Sequence, residues 1–350
     1  GASRGMSASK TEQVYRAILA RIQEGFWKQG EQILSERQLS ELLSVSRVTV
    51  RNALSQLVGE GVLEYREGRL GTFVAKQAEE EKVSETNFIG IALDNYTPAF
   101  ASCLLEGIHD ALWEQGYHTL YCNTHFSDGI VLDKISSFIK KGVKGLIFSP
   151  LISDDEVTTN AKVFSLVEHS GLPLVQLDRC IEGFPFGKAQ CNNTEAMYQM
   201  AIRLFDTGVQ RPLLLTGITT SSTQERISGI EKAASERGIP LVYQNIDEIA
   251  FYDHERYISL YPEVTEFSGF DAIIGITQVL SKVALYLKKT HHLHCLTAGV
   301  SASSIEVSND YSIIQPLYHI AYSAARLLLQ LIDKPKTPIT TILIDAEPWP

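Results

Sequence analysis

Between residues 88 and 346 the chain repeats one unit: a short run of consecutive apolar residues, a polar loop, and usually a stretch with helical spacing. The runs are Phe88–Leu93, Gly145–Phe148, Leu174–Leu177, Leu213–Leu215, Ala272–Ile276 and Leu296–Ala298, and Tyr117–Tyr121 reads as a further strand. A run without polar alternation has no face to give to water. It reads as a strand covered on both sides, the situation of a parallel sheet flanked by helices. Between about Phe100 and Gln115, Leu104, Leu105, Ile108 and Leu112 recur at helical spacing, and Gly116 stops the helix. So much β/α alternation exceeds one small sheet and predicts two doubly wound α/β lobes. In open sheets of this kind ligands sit outside the carboxyl ends of the strands.

Residues 9–76 follow another rule. Ser9-Lys10-Thr11-Glu12 and Ser35-Glu36-Arg37-Gln38 each place a capping hydroxyl three residues ahead of Glu or Gln, predicting two helix starts with capping boxes. A third helix begins at Ser46 and hides Val50, Leu54, Leu57 and Val58 on one face. Its other face carries Arg47 and Arg51, one turn apart. Leu63–Arg66 and Thr72–Val74 then flank a tip containing Gly68, Arg69 and Gly71, the pattern of a hairpin. Three helices and a two-stranded wing make a winged helix-turn-helix. A helix that buries an apolar stripe and presents two arginines near its start is shaped to enter a groove of double-stranded DNA.

The formal charge of −10 conflicts with that reading only until it is divided. Residues 1–76 hold 11 Lys/Arg against 8 Asp/Glu, and residues 77–350 hold 20 against 33. The acidic part is repelled by nucleic acid, so DNA contact falls to the head. The chain is thus expected to divide into a tag or disordered start at 1–8, with Gly1–Gly5 as a cloning scar before Met6, and a DNA-binding domain at 9–76. A charged linker at 77–86 and an α/β domain at 87–350 for effector binding and dimerisation follow. Five cysteines without a CxxC pair suit free thiols in a reducing cytoplasm. No signal peptide is read, and no apolar run approaches ~18 residues, so no membrane span is expected.

The head resembles the DNA-binding domain of the GntR family. The matching text is Gly30–Arg37 (GEQILSER), Val45–Arg51 (VSRVTVR), Gly59–Leu63 (GEGVL) and Gly68–Val74 (GRLGTFV). It departs from the family pattern in lacking a proline before Ser35 and in carrying Leu70 as an extra wing residue. The resemblance implies DNA contacts from Arg37, Ser46, Arg47, Thr49, Arg51, Gly68 and Arg69. Arg47 has the fork to read guanine, whereas Arg37, Arg51 and the two hydroxyls suit phosphate. The other reading of these arginines is surface ion pairing with Glu36, Glu41 or Glu60.

Residues 88–346 resemble the effector domain of LacI-type regulators, a type I periplasmic-binding-protein fold. The resemblance is carried by Ile89–Leu93, Asn95–Phe100, Glu106–Ile108, Gln115–Tyr117, Cys122–Thr124, Leu177–Arg179, Asn192–Asn193, Glu225–Gly229 and Gln315–Pro316. A GntR-type head on such a domain is the layout of arabinose repressors of Gram-positive bacteria. The resemblance implies an effector site of Phe100, Asp178, Ser222, Thr223, Arg226, Phe251 and Gln278. It further implies a repressor released by a small sugar-like inducer, and a homodimer. Where the family usually has Asn-Asp, this chain has Thr277-Gln278, so its ligand preference is expected to differ. The alternative is an effector that is a nucleobase, an amino acid or a protein partner.

Catalytic motifs are not evident. Gly183–Ala189 resembles a phosphate loop but is one residue short and lacks the Ser/Thr. His291-His292-Leu293-His294-Cys295 precedes a strand and reads as a solvated loop, not a metal site. Asp154-Asp155-Glu156 reads as acidic residues at a helix start. No enzyme activity, cofactor or metal is expected.

Overall fold

The computed structural model describes residues 9–66, 68–75, 87–94, 98–248 and 269–350. The start at 1–8, the linker at 77–86, the loop Asn95–Thr97 and Phe251 lie outside the described residues. The chain packs as two units, one ending at Glu85 and one beginning at Thr86.

The smaller unit contains α1 (Lys10–Gln23), α2 (Glu36–Leu43), α3 (Arg47–Gly59), β1 (Leu63–Tyr65) and β2 (Thr72–Val74). Ser35 and Gln38 form the complete capping box, amide to hydroxyl at 3.2 Å and amide to side-chain oxygen at 2.9 Å. At α1 only half of the expected box forms. Ser9 accepts from the Glu12 amide at 3.1 Å, while the Glu12 carboxylate turns to Arg16, 2.6 Å away and one turn on. Val14, Ile18, Trp27, Leu39, Val50, Leu54, Leu57 and Leu63 make the core. Glu31–Ile33 adds a short rung to β2, with the Val74 amide on Glu31 O at 2.8 Å and the Ile33 amide on Thr72 O at 2.9 Å. That rung is too short for periodicity to reveal.

The larger unit holds two six-stranded sheets. The first lobe contains β3 (Phe88–Leu93), β4 (His118–Asn123), β5 (Gly145–Phe148), β6 (Leu174–Leu177), β7 (Gly187–Cys191) and β13 (Thr341–Ile344). Their spatial order is β13-β7-β6-β5-β3-β4, parallel throughout. The second lobe contains β8 (Pro212–Thr216), β9 (Val242–Asn245), β10 (Ala272–Gly275), β11 (Leu296–Ser301), β12 (Tyr311–Ile314) and β14 (Glu347–Trp349). Its order is β14-β12-β11-β10-β8-β9, with only β14 antiparallel to its neighbour.

Helices α4 (Pro98–Trp113), α5 (Asp128–Lys140), α6 (Glu156–Ser170) and α10 (Leu317–Asp333) pack on the first sheet. Helices α7 (Asn193–Asp206), α8 (Ser221–Arg237) and α9 (Gln278–Thr290) pack with the second. The chain crosses between lobes after β7, after β12 and between β13 and β14. All seven segments read from the sequence are strands, three with the same bounds and four with ends shifted by one to three residues. The segment that resembles a phosphate loop is in fact the approach to β7, and Lys188 lies in that strand, ion-paired to Glu182.

Candidate functional site

In the smaller unit α3 starts at the surface. Ser46 caps it, its hydroxyl accepting from the Thr49 amide at 3.1 Å and lying 2.8 Å from the Thr49 hydroxyl. Both hydroxyls therefore stabilise the helix start while remaining on its exposed edge. Arg47 and Arg51 project together toward Glu36 of α2. Arg51 donates from Nε and Nη2 at 3.2 and 3.1 Å, and Arg47 lies 3.9 Å away. The Arg51 fork holds the Glu36 carboxyl below its ordinary range. Arg37 pairs along its own helix with Glu41 at 3.2 Å. Three of the arginines thus make the ion pairs that the alternative reading gave them. Each nevertheless keeps more than half of its side chain exposed. Such pairs contribute little and exchange readily for a phosphate or a base. Gly68 and Arg69 stand in the wing, Gly68 with φ +74° and Arg69 exposed; Leu70 beside them is 95 % exposed.

In the larger unit a cavity of about 250 Å³ opens between the lobes at the carboxyl ends of both sheets. Phe100, Phe126, Ile152, Asp178 and Arg179 line it from the first lobe. Ile218, Thr220, Ser222, Thr223, Arg226, Glu248, Thr277 and Gln278 line it from the second, and Gln315 from the crossing after β12. Six of the seven expected effector residues meet here: Phe100, Asp178, Ser222, Thr223, Arg226 and Gln278. The seventh, Phe251, lies outside the described residues.

Asp178 follows β6 in a left-handed conformation, φ +68°, which Asp tolerates better than most side chains. Burial pushes its carboxyl above the ordinary range, against the pull of Arg179 and Arg226 and with help from Asp94. Arg179 sits beneath. It is ion-paired to the buried Asp94, donates to Pro150 O at 3.2 Å, and lies over the Phe100 ring at 5.6 Å. It fixes the floor of the cavity, 3.6 Å from Asp178.

Arg226 is buried, not a surface charge of α8. Nε donates to Asn193 Oδ1 at 3.0 Å and Nη1 to Ile276 O at 2.9 Å, which orients the guanidinium. Ser222 donates across the cleft to Asp178 O at 3.4 Å. The Thr223 hydroxyl completes the cap of α8 with Thr220, the Thr220 amide donating to it at 2.7 Å. Thr277 caps α9 and donates to Glu248 at 3.0 Å, and Glu248 also accepts from the Ile218 amide at 3.1 Å.

Sequence reading did not single out Phe126, Ile152, Arg179, Ile218, Thr220, Glu248, Thr277 or Gln315 as site residues. Those in the loops after β4, β5 and β8 follow from the rule that ligands sit at strand carboxyl ends. Gln315 is the most informative of them. It is 6 % exposed, and its Oε1 is buried without a hydrogen-bond partner while the residue lines the cavity. A buried acceptor of this kind calls for a donor. Arg226, Gln315, Ser222 and Asp178 together can donate to and accept from a small polar molecule, while Phe100, Phe126, Ile152 and Ile218 supply apolar walls. Among the described residues no group of His, Cys, Asp or Glu is arranged to hold a metal ion, and no helix is long and apolar enough to cross a membrane.

These features define a fold: a winged helix-turn-helix unit followed along the chain by a two-lobed α/β unit of the periplasmic-binding-protein-like fold. Residues 10–74 match the family model described as "Bacterial regulatory proteins, gntR family". The chain is 27 % identical over 237 residues to the arabinose metabolism transcriptional repressor of Halalkalibacterium halodurans, covering 67 % of this chain and 62 % of that protein. It is 31 % identical over 138 residues to the arabinose metabolism transcriptional repressor of Geobacillus stearothermophilus, covering 39 % and 37 %. The matches thus span less than two thirds of those relatives' own lengths. Among solved structures, a LacI family transcriptional regulator from Enterococcus faecium with bound ribose superposes with a TM-score of 0.60 at 18 % identity. That match covers 75 % of this chain and 97 % of the other.

Proposed function

We propose that the protein is a transcriptional repressor that binds operator DNA through α3 and the wing and is released by a small sugar-like effector in the interlobe cavity. The observation that carries the reading is the cavity itself. Buried Asp178, Arg226 and Gln315 face one small space to which Phe100, Phe126, Ile152 and Ile218 supply apolar walls. Carboxylate and amide oxygens accept from hydroxyls, a guanidinium donates, and aromatic faces pack on sugar C–H groups. The resemblance to arabinose repressors makes arabinose the first sugar to try. On this reading Arg37, Ser46, Arg47, Thr49, Arg51, Gly68 and Arg69 contact DNA, and the protein acts in the cytoplasm without enzymatic activity.

One winged helix gives a small footprint, so useful operator affinity calls for two heads on a pseudo-palindrome, and the protein acts as a homodimer. Light scattering on the intact chain at micromolar concentration tests this, and a monomer would count against it. The function is tested by a mobility-shift titration on the promoter of its own gene with L-arabinose, D-ribose and D-xylose added in turn. Release by one of them at a concentration where the others do nothing supports the reading. A second reading, a planar nucleobase effector, is favoured by Phe100 and Phe126 in the walls and by Gln278 in place of an acidic residue. Adenine and hypoxanthine in the same titration decide between them.

A further inference from the structure

Two helices begin on opposite sides of the cleft and share one carboxylate. Glu156 is the first residue of α6 in the first lobe, and Ser221 is the first residue of α8 in the second. Glu156 Oε1 accepts from the Ser221 amide at 3.0 Å and from the Ser221 hydroxyl at 2.5 Å. Neither helix needs this contact for its own cap. Asp155 caps α6 by accepting from the Thr158 amide at 3.2 Å, and Thr220 and Thr223 cap α8 reciprocally. Glu156 is therefore surplus to local helix formation, and what it adds is a bond between lobes. A carboxylate placed at two helix starts also meets the positive ends of both.

The support behind Glu156 is specific. Asn160, one turn on, donates to Glu156 O at 2.8 Å and to Leu151 O at 3.0 Å, and accepts from the Leu151 amide at 2.8 Å. This pins the loop that carries Ile152 along the cavity wall and delivers Glu156 to the cleft. On the other side Ser222, adjacent to Ser221, makes the crossing bond to Asp178 O. The latch and the cavity rim are the same two chain segments.

We propose that the Glu156–Ser221 contact is a latch that holds the two lobes closed over the cavity. Opening the cleft breaks the contact, so it stabilises only the closed arrangement, and that differential is what shifts an equilibrium. Any effector then completes a closure that Glu156 already favours. The inference goes beyond the sugar reading and is independent of what fills the cavity.

The test reads lobe separation directly in the full-length chain with no added ligand. Glu168→Cys on α6 and Ser235→Cys on α8 are exposed sites for spin labels, with Cys103→Ser removing the one native thiol that is not buried. Labelled chain is mixed with excess unlabelled chain, so that pulsed electron paramagnetic resonance reports intrachain distances. Glu156→Ala is expected to shift the distribution to longer distances, and Glu156→Gln, which keeps an acceptor, to shift it less. Ser221→Pro removes both donors while preserving the helix, because proline is tolerated at the first helical position and Thr220 is extended, ψ 170°. It is expected to match Glu156→Ala, and it decides the matter if loss of Glu156 unsettles α6 itself. Distributions for Glu156→Ala and Ser221→Pro that superpose on the parent's would overturn the latch. A shift in Glu156→Ala alone would reduce the residue to a local role in α6 and overturn it equally.

Discussion

Asp178 carries a pH signature of its own. Burial raises its carboxyl above the ordinary range, so the folded chain keeps that proton to a higher pH than the unfolded chain does. Stability then falls as pH rises through the window from the unfolded value to the raised folded one. Asp178→Asn is expected to remove that slope and to leave the ligand-free protein more stable at neutral pH, at the expense of effector binding. Urea midpoints measured from acidic to neutral pH check it; a slope that survives the substitution assigns the effect to another group. Arg226→Ala deletes a charged donor whose geometry is already set by Asn193 and Ile276. On the sugar reading it should weaken effector affinity about ten- to a hundredfold while ligand-free operator binding stays near normal, as calorimetry and a mobility shift would report. In the head, Arg47→Ala should cost ~1–3 kcal/mol of discrimination at one base position, and Arg37→Ala should lower the salt slope by about one for all sequences. Operator affinity unchanged by Arg47→Ala would reject the docking of α3. Asp178 and Arg226 were legible in the sequence because each sits in a short motif with fixed spacing. Glu248 and Gln315 were not, since an Asp-Glu pair after an edge strand and a Gln-Pro pair carry no local sign of what they face.

Elements were legible in proportion to their burial. The central strands β3, β5, β6 and β10 are buried along almost their whole length; β3, β5 and β10 show as unbroken apolar runs, and β6 is interrupted only by Gln176. The edge strands β9 and β13 mix exposed and half-buried positions, and neither stands out from the sequence as a covered strand. Strand β7 was hidden differently: its sequence GKAQC is fully buried, but Lys188 and Gln190 break the apolar run. Helix pairing was not legible at all, because it depends on two glycines whose role is spatial. A Cβ at Gly229 on α8 would lie 2.2 Å from Thr194 O and 2.9 Å from the Tyr198 amide of α7, and one at Gly107 on α4 would lie 2.3 Å from Tyr318 O of α10. These are backbone atoms that cannot swing aside. Gly229→Ala and Gly107→Ala should each destabilise by ~1–3 kcal/mol, read as a lower urea midpoint at unchanged slope. Gly229→Ala should in addition weaken effector binding, since it displaces the helix that carries Arg226; an unchanged effector isotherm would show that α8 absorbs the methyl locally.

At the scale of the whole molecule, the function proposed above obeys reciprocity. If effector weakens operator binding by some factor, operator must weaken effector binding by the same factor, typically ~5–150-fold. Calorimetry of effector binding with and without operator duplex measures it; equal affinities in the two titrations would mean that the cavity and the head are not coupled. The two-lobed architecture was legible from the length and rhythm of the β/α repeats. The interleaving of the lobes was not, because β13 pairs with β7 and β14 with β12 across stretches with no local trace of the pairing. That interleaving bears on how the molecule is made. Strands β13 and β14 follow every other strand among the described residues, yet each finishes a different sheet. During synthesis neither lobe can be sealed while the other is still emerging; both wait on the same few residues. A polypeptide interrupted before residue 341 would leave the ribosome with β7 and β12 as bare edges, the kind of surface on which other chains pair and aggregate. Synthesis through residue 349 is thereby built into the fold as a condition for two sealed sheets.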